Sequence, residues 1–299
     1  FSIGMNNSYY DESKKAKNIS RYLGTNHNEY TLSTDDIKNC LPFMHSIYDE
    51  PFADSSQIPT YILTKFASKK IKVALSGDGG DELFGGYGRH IWSEKILQLI
   101  NFFPFKIRKK LGQLLLNLNY NNVIKIEKIL NLFISNKSKL VQLDKKLNKF
   151  GRILSSSANL SDFYFTLISV WPNMLNDNGK VDQLKFITTQ NSSRPSKEEL
   201  MWLDIDNYLH DDVLCKLDRA AMSNSLETRV PFLDKDVYDI SQSFSFQEKT
   251  SKGIGKMPLR DLMKRYFPTN TVDQPKMGFG IPLNNWMRND LKIWVDDIL

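Results

Sequence analysis

Over the first ninety residues, short apolar runs alternate with longer stretches of helical period. Residues 1–5 read as a strand. Residues 11–23 repeat apolar positions at Ala16, Ile19, Tyr22 and Leu23, the spacing of one helix face, and Gly24 is a residue that ends helices in the left-handed conformation. Residues 28–32 read as the next strand, 35–48 as a helix, and 56–68 as another helix with Pro59 near its first turn. Residues 71–75 form a short apolar strand. Strands separated by helices predict an α/β chain with a parallel, doubly wound sheet, whose ligands sit at the carboxyl ends of the strands. From residue 91 onward the pattern is mostly helical, punctuated by Pro104, Asn119 to Asn122, Asn136, Ser155 to Ser157 and Asn176 to Gly179. No internal repeat stands out. The expected organisation is an α/β part over 1–90 and an adjoining helical region over 91–299.

Composition narrows the class. With 299 residues, 41% hydrophobic and 25% charged, the chain fits a soluble globular protein with a substantial core. No apolar stretch reaches the ~18 residues that cross a bilayer, so a membrane partner is not expected. The four histidines form no paired motif and the two cysteines, Cys40 and Cys215, have no metal-like spacing, so zinc has no support. Lone thiols point to a reducing, cytoplasmic location. The +6 net charge is uneven: between Ser93 and Phe150, eleven Lys and one Arg against three acids give +9, leaving −3 elsewhere. Those lysines interleave with Ile96, Leu97, Ile100, Leu111, Leu114, Leu115 and Leu118 at helical spacing, which favours a solvated helix face over a nucleic-acid surface.

The chemistry concentrates in Val73-Ala74-Leu75-Ser76-Gly77-Asp78-Gly79-Gly80-Asp81-Glu82-Leu83-Phe84-Gly85-Gly86-Tyr87. A strand that breaks into a glycine-rich turn exposes backbone N–H groups to a phosphate. Acids placed there point to a divalent cation bridging carboxylate and phosphate oxygens. An acidic helix start is the plainer alternative, but five glycines and three acids in one run weigh against it.

That run resembles the Ser-Gly-(Asp/Glu)-Gly-x-Asp-Glu-x-Phe-Gly-Gly-Tyr segment of the asparagine synthetase B family, in its synthetase domain. Further blocks agree in the family's order: Phe1-Ser2-Ile3-Gly4-Met5 with Tyr10-Asp11-Glu12-Ser13 and Leu23-Gly24-Thr25-Asn26-His27; Lys216-Leu217-Asp218-Arg219 running on to Leu226-Glu227-Thr228-Arg229-Val230-Pro231-Phe232-Leu233-Asp234; and Gln274-Pro275-Lys276-Met277-Gly278-Phe279-Gly280. The resemblance implies a sheet of the ATP-pyrophosphatase (adenine nucleotide alpha hydrolase-like) type. It implies ATP-dependent amidation of aspartate to asparagine through β-aspartyl-AMP, with ammonia released from glutamine in a separate N-terminal domain. On matched positions, Ile3, Ser76 and Gly77 approach the adenylate, Asp81 holds Mg²⁺ on the pyrophosphate, and Lys276 stabilises charge at the α-phosphate. Asp78 assists the intermediate and handles protons of the incoming amine, while Asp218 and Glu82 serve the substrate's amino group. The partners implied are therefore aspartate, ATP and ammonia; a homodimer is left open.

Some features depart from the family pattern. Gln274 stands where Arg commonly precedes Pro, and Asp78 where many asparagine synthetases have Glu. The family's Ser-Gly-Gly-x-Asp-Ser pyrophosphate loop and its N-terminal Cys nucleophile are not found in the chain, and Phe1 is not an initiator Met, so an internal fragment without its glutaminase domain is expected. An amidotransferase for another carboxylate, such as a polysaccharide sugar acid, and a non-catalytic nucleotide-binding module stay open. Arg219, Glu227, Arg229 and Asp234 are expected to form an ion-pair frame.

Overall fold

The computed structural model describes residues 1–5, 11–133, 143–157, 160–169, 196–273 and 278–298. Tyr10, Asn136, residues 176–179 and Lys276, singled out above, lie outside them. The chain divides into two compact units, Phe1–Tyr87 with Met201–Leu299, and Gly88–Leu200.

The first unit carries every strand among the described residues. β1 (Ser2–Met5) pairs in parallel with β2 (Glu29–Leu32), Ile3 opposite Tyr30. Between them runs α1 (Ser13–Leu23), closed by Gly24 at φ +64°. Gly24 donates its N–H to the Arg21 carbonyl, the left-handed stop its sequence implies. The apolar stripe of α1 is largely uncovered: Tyr22 and Leu23 are exposed, and Tyr22 instead packs on Phe267, ring centroids 5.3 Å apart.

The single helix expected over 35–48 is broken. α2 (Thr34–Cys40) starts on a Ser33–Asp36 capping box and gives way to a 3₁₀ turn, Leu41–Phe43, before α3 (Met44–Tyr48). Pro42 lies inside that turn. It has no N–H to donate and its ring crowds the preceding turn, which accounts for the break. α4 (Gln57–Ser68) then leads into β3 (Val73–Leu75). β3 pairs in parallel with β4 (Glu227–Arg229), a strand the sequence pattern does not announce, with Ala74 opposite Thr228. The strands are parallel, as expected. Among the described residues they form two pairs rather than one ladder.

The main core joins Ile3, Met5, Leu32, Ile37, Tyr48, Ile58 and Ile62 to Ile281, Trp286 and Leu291 from the far end of the chain. A smaller cluster of Ala67, Ala221 and Leu226 packs beneath Ile71 and Ala74 of the β3 region. After the turn that follows β3 comes α5 (Gly80–Leu83).

The second unit is helical: α6 (Gly88–Asn101), α7 (Phe105–Leu116), α8 (Tyr120–Phe133), α9 (Leu143–Ser156), α10 (Leu160–Ile168) and α11 (Ser196–Leu203), which runs on past the unit's edge. α7 and α9 meet at a glycine pair. A Cβ on Gly112 would lie 2.5 Å from the Gly151 carbonyl oxygen, so the backbones touch where side chains would separate them. Beyond α11 the first unit resumes as a π-helical stretch, Asp204–Leu214, then α12 (Cys215–Met222). α13 (Lys235–Ser243), α14 (Phe246–Lys249) and α15 (Met257–Met263) follow.

Candidate functional site

The glycine-rich turn leaves β3 under control of its neighbour strand. Ser76 donates its N–H to the Arg229 carbonyl at 2.8 Å, carrying the pairing one residue past Leu75. Its hydroxyl donates to the Asp78 carboxylate, which closes the turn locally. The next two glycines are required by geometry. Gly79 sits at φ +82°, and a Cβ there would fall 2.7 Å from the Leu233 side chain; a Cβ on Gly80 would press on the Phe232 ring at 3.2 Å. Phe232 and Leu233 of the Val-Pro-Phe-Leu block thus form the floor of the turn. Gly77 differs. It is exposed, its φ is unremarkable, and a Cβ would meet no atom within 4 Å. Among the described residues nothing demands glycine there, which leaves an open approach to its backbone.

The three acids of the run have separate surroundings. Asp78 is half-buried in the turn. Asp81, with 24% of its side chain exposed, pairs through Oδ1 with Lys256 Nζ at 2.9 Å. Glu82 is buried and accepts the Tyr87 hydroxyl at Oε1, 2.6 Å away. Burial, with the charges of Asp81 and Asp204 nearby, raises the Glu82 pKa against the lowering pull of Tyr87. Glu82 therefore braces the turn from within and offers no surface to a ligand. Among the described residues no three His, Cys, Asp or Glu side chains converge as a metal cage. Mg²⁺ rarely needs one: it is commonly held by one or two carboxylates together with substrate phosphates and water. A partly exposed carboxylate beside an open glycine turn fits that arrangement.

Lys256 was not singled out from the sequence. It is held in the left-handed region at φ +60°, and its N–H donates to the Phe84 carbonyl at 3.0 Å. From there a chain of contacts leads toward the Lys276 segment. Arg260 donates from Nε to the Gly255 carbonyl at 3.0 Å and from Nη1 to the Val272 carbonyl at 2.7 Å. Asp273, the last described residue before Lys276, lies 3.8 Å from Arg260 Nη1 and 3.6 Å from Lys264 Nζ. Beyond the gap, Ile281 and Trp286 enter the core that holds Ile3. The described residues on either side of 274–277 are therefore anchored, one side to α15 and the other to the β1–β2 core.

Ile3 itself is buried within β1, so only its backbone can serve a ligand. Asp218 is exposed on α12. Its neighbours point elsewhere. Lys216 Nζ lies 2.6 Å from Asp54 Oδ2 and 3.7 Å from Asp212 Oδ1. Asp54 also accepts the Ser56 N–H at 2.8 Å and its hydroxyl at 2.6 Å. Burial and the adjacent Asp54 charge push Asp212 up to about 7, against the pull of Lys216. Burial would raise Asp54 too, but Lys216 and Ser56 hold it below the usual carboxylate range. The i, i+4 spacing of Asp212 and Lys216 was legible as a helical pair; the third member, Asp54, comes from 158 positions earlier than Asp212 and had no local signal.

The expected ion-pair frame does not form as one network. Arg219 reaches Asp49 at 2.7 Å and the Tyr48 carbonyl at 2.8 Å. Arg229 pairs with Glu227 at 2.7 Å on an exposed strand, and Asp234 caps α13 by accepting the Asp236 N–H. These groups are mostly solvated, so the burial that would force them together is missing.

The asparagine synthase family model matches residues 1–299. The chain belongs to that family. It is 31% identical over 304 residues to asparagine synthetase [glutamine-hydrolyzing] 1 of Bacillus subtilis, covering 100% of this chain and 45% of that protein. A putative asparagine synthetase [glutamine-hydrolyzing] of Mycobacterium bovis is 28% identical over 96% of this chain and 42% of its own length. A second such protein of Methanocaldococcus jannaschii is 27% identical over 78% of this chain and 41% of its own. The chain thus spans less than half the length of these relatives.

Proposed function

We propose that the chain is the synthetase part of a glutamine-dependent amidotransferase that converts aspartate to asparagine with ATP. The observation that carries this is the turn after β3, where an exposed Gly77 with no packing need among the described residues stands beside the partly exposed carboxylates of Asp78 and Asp81. Family membership and the activity named for the relatives support the reaction class. The two parallel pairs accord with halves of one doubly wound sheet of the ATP-pyrophosphatase type; Leu75, 73% exposed on β3, is an apolar strand residue without cover. The nucleotide-binding part is then residues 1–90, with the helical remainder over 91–299, of which 201–299 cluster with the first. The glutaminase domain and the pyrophosphate loop would belong to the rest of the whole protein. A cytoplasmic setting accords with two free cysteines and with no described helix being long and apolar enough to cross a membrane.

The chemistry proceeds in two displacements. An aspartate side-chain carboxylate oxygen attacks the α-phosphorus of ATP, and the bond to pyrophosphate breaks. Ammonia nitrogen then attacks the acyl carbon, AMP leaves with the bonding pair, and the nitrogen loses a proton. The backbone of Ser76 and Gly77 orients the adenylate, with Gly77 offering the open N–H because that of Ser76 is held by the Arg229 carbonyl, and the Ile3 backbone lies against the base. Asp78 takes the proton from the incoming amine. Lys276 meets the charge that builds on the α-phosphate, which an electrostatic donor stabilises most where it develops. Asp81 would hold Mg²⁺, which when bound offsets charge on the departing pyrophosphate.

One observation favours a second acceptor. Aspartate's α-ammonium needs an acidic partner shielded from water, and Asp218 is exposed. A carboxylate without that ammonium, such as a sugar acid, has no need of it. The whole protein decides the matter: aspartate-dependent formation of AMP from ATP, with ammonia supplied, is expected at millimolar aspartate. No AMP above background would reject aspartate as the acceptor.

A further inference from the structure

The carboxylate assigned to a divalent cation already carries a cation of the chain's own. Lys256 Nζ sits 2.9 Å from Asp81 Oδ1, with 31% of the lysine side chain and 24% of the aspartate exposed. Such a part-exposed pair contributes little to stability. Much structure is nonetheless arranged around it. Lys256 occupies the left-handed region at φ +60°, a strained conformation for a residue with a side chain. A Cβ on Gly86 would fall 1.9 Å from Asp81 Oδ1 and 2.4 Å from Lys256 Cε, and one on Gly255 would fall 2.0 Å from the Gly85 carbonyl oxygen. Two positions bare of side chains and one strained residue bring the lysine to that oxygen, a larger outlay than the pair returns in folding.

We propose that Lys256 is a polyphosphate-binding residue that rests on Asp81 when no nucleotide is present and moves to phosphate oxygens when a divalent cation takes the carboxylate. The geometry gives the reason. A divalent cation bound to Oδ1 would stand within a few ångströms of the ammonium, and like charges that close repel strongly in a partly desolvated site. A polyphosphate removes the conflict, because its oxygens accept both cations. The exchange needs no movement of backbone: Nζ is at the end of a flexible stem that is partly in solvent. Cation and polyphosphate should therefore bind with positive coupling, and without polyphosphate the lysine competes with the metal.

The proposal rests on the nucleotide-binding reading above, and one set of calorimetric titrations separates the two. In the whole protein, Mn²⁺ alone, and pyrophosphate and ATP each with saturating Mg²⁺, are titrated into wild type, Lys256→Met and Lys256→Gly. The glycine variant is suited to φ +60° and guards against a folding defect in the methionine variant. Loss of a charged hydrogen-bond donor is expected to weaken pyrophosphate by about 10- to 100-fold. Mn²⁺ alone should bind several-fold more tightly to the variants than to wild type, since its competitor is gone. Wild type that binds neither pyrophosphate nor ATP would sink the parent reading. Wild type that binds both, with variants that match it for pyrophosphate or bind Mn²⁺ no better, would leave that reading standing and overturn the role of Lys256.

Discussion

Asp81 and Glu82 are adjacent in sequence and opposite in situation. Asp81 reaches partial exposure beside Lys256, while Glu82 is buried against Tyr87. Removing each should therefore give a different defect. Asp81→Asn keeps the shape and loses the charge; in the whole protein it should move the Mg²⁺ requirement upward several-fold at fixed ATP, with adenine recognition unchanged. An unshifted Mg²⁺ titration would take Asp81 out of the metal site. Glu82→Ala leaves the Tyr87 hydroxyl without its acceptor in a buried setting, and should lower stability by about 1–3 kcal/mol, read by denaturant unfolding. For Lys276, a loss of about 10²–10³ in kcat on substitution by Ala is expected, with a smaller change in KM for ATP. Steady-state kinetics that showed kcat unchanged would return Lys276 to the surface.

At the scale of elements, the strand and helix order of the first seventy-five residues was legible because local signals govern it. Gly24 ends α1, Ser33 and Asp36 start α2, and apolar runs mark β1, β2 and β3. What was not legible depends on distance along the chain. β4 is three residues of polar and charged character, Glu227-Thr228-Arg229, and only its pairing with β3 makes it a strand. Lys256 has no motif of its own around it, and its meaning appears only when Gly85, Gly86 and Gly255 are seen packed together. The glycine-rich turn itself was legible, since glycine and carboxylate chemistry is written locally, but the burial of Glu82 against Tyr87 was not. The tie between the π-helical stretch and the segment before α4, through Asp212, Lys216 and Asp54, brings a pH dependence. Asp212 has its folded pKa raised to about 7 from 3.8, so the native state binds more protons than the unfolded chain between those values. Its contribution to stability is full below pH 4 and is lost as pH rises through 7. Asp212→Asn mimics the protonated form, so its Tm relative to wild type should climb between pH 4 and pH 7.5 in calorimetric scans. A flat difference across that range would show that Asp212 is ionised throughout. In the second unit, Gly112→Leu would drive a side chain into the Gly151 carbonyl 2.5 Å from the ideal Cβ. A loss of about 1–3 kcal/mol is expected, seen as a lower midpoint in urea.

For the whole molecule, the proposed reaction calls for a Ser-Gly-Gly-x-Asp-Ser pyrophosphate loop, a pattern that residues 1–299 do not contain. Without the pyrophosphate loop, residues 1–299 alone are expected to release no pyrophosphate from ATP when aspartate and ammonia are present, in a coupled phosphate assay where the whole protein does. Robust release would show that loop to be dispensable. The pairing of β3 with β4 carries a last consequence. Val73 meets Glu227 across a separation of 154 positions, and parallel contacts of that span are slow to form, because the loop they close must be ordered first. On the ribosome, residues 88–200 emerge as an uninterrupted stretch and have their whole sequence available early, whereas the nucleotide turn waits for a strand still inside the exit tunnel. Completion of the proposed nucleotide site is thus a late event in biosynthesis, and a nascent chain stalled before Glu227 would carry the complete glycine motif and yet have no partner strand on which to shape it.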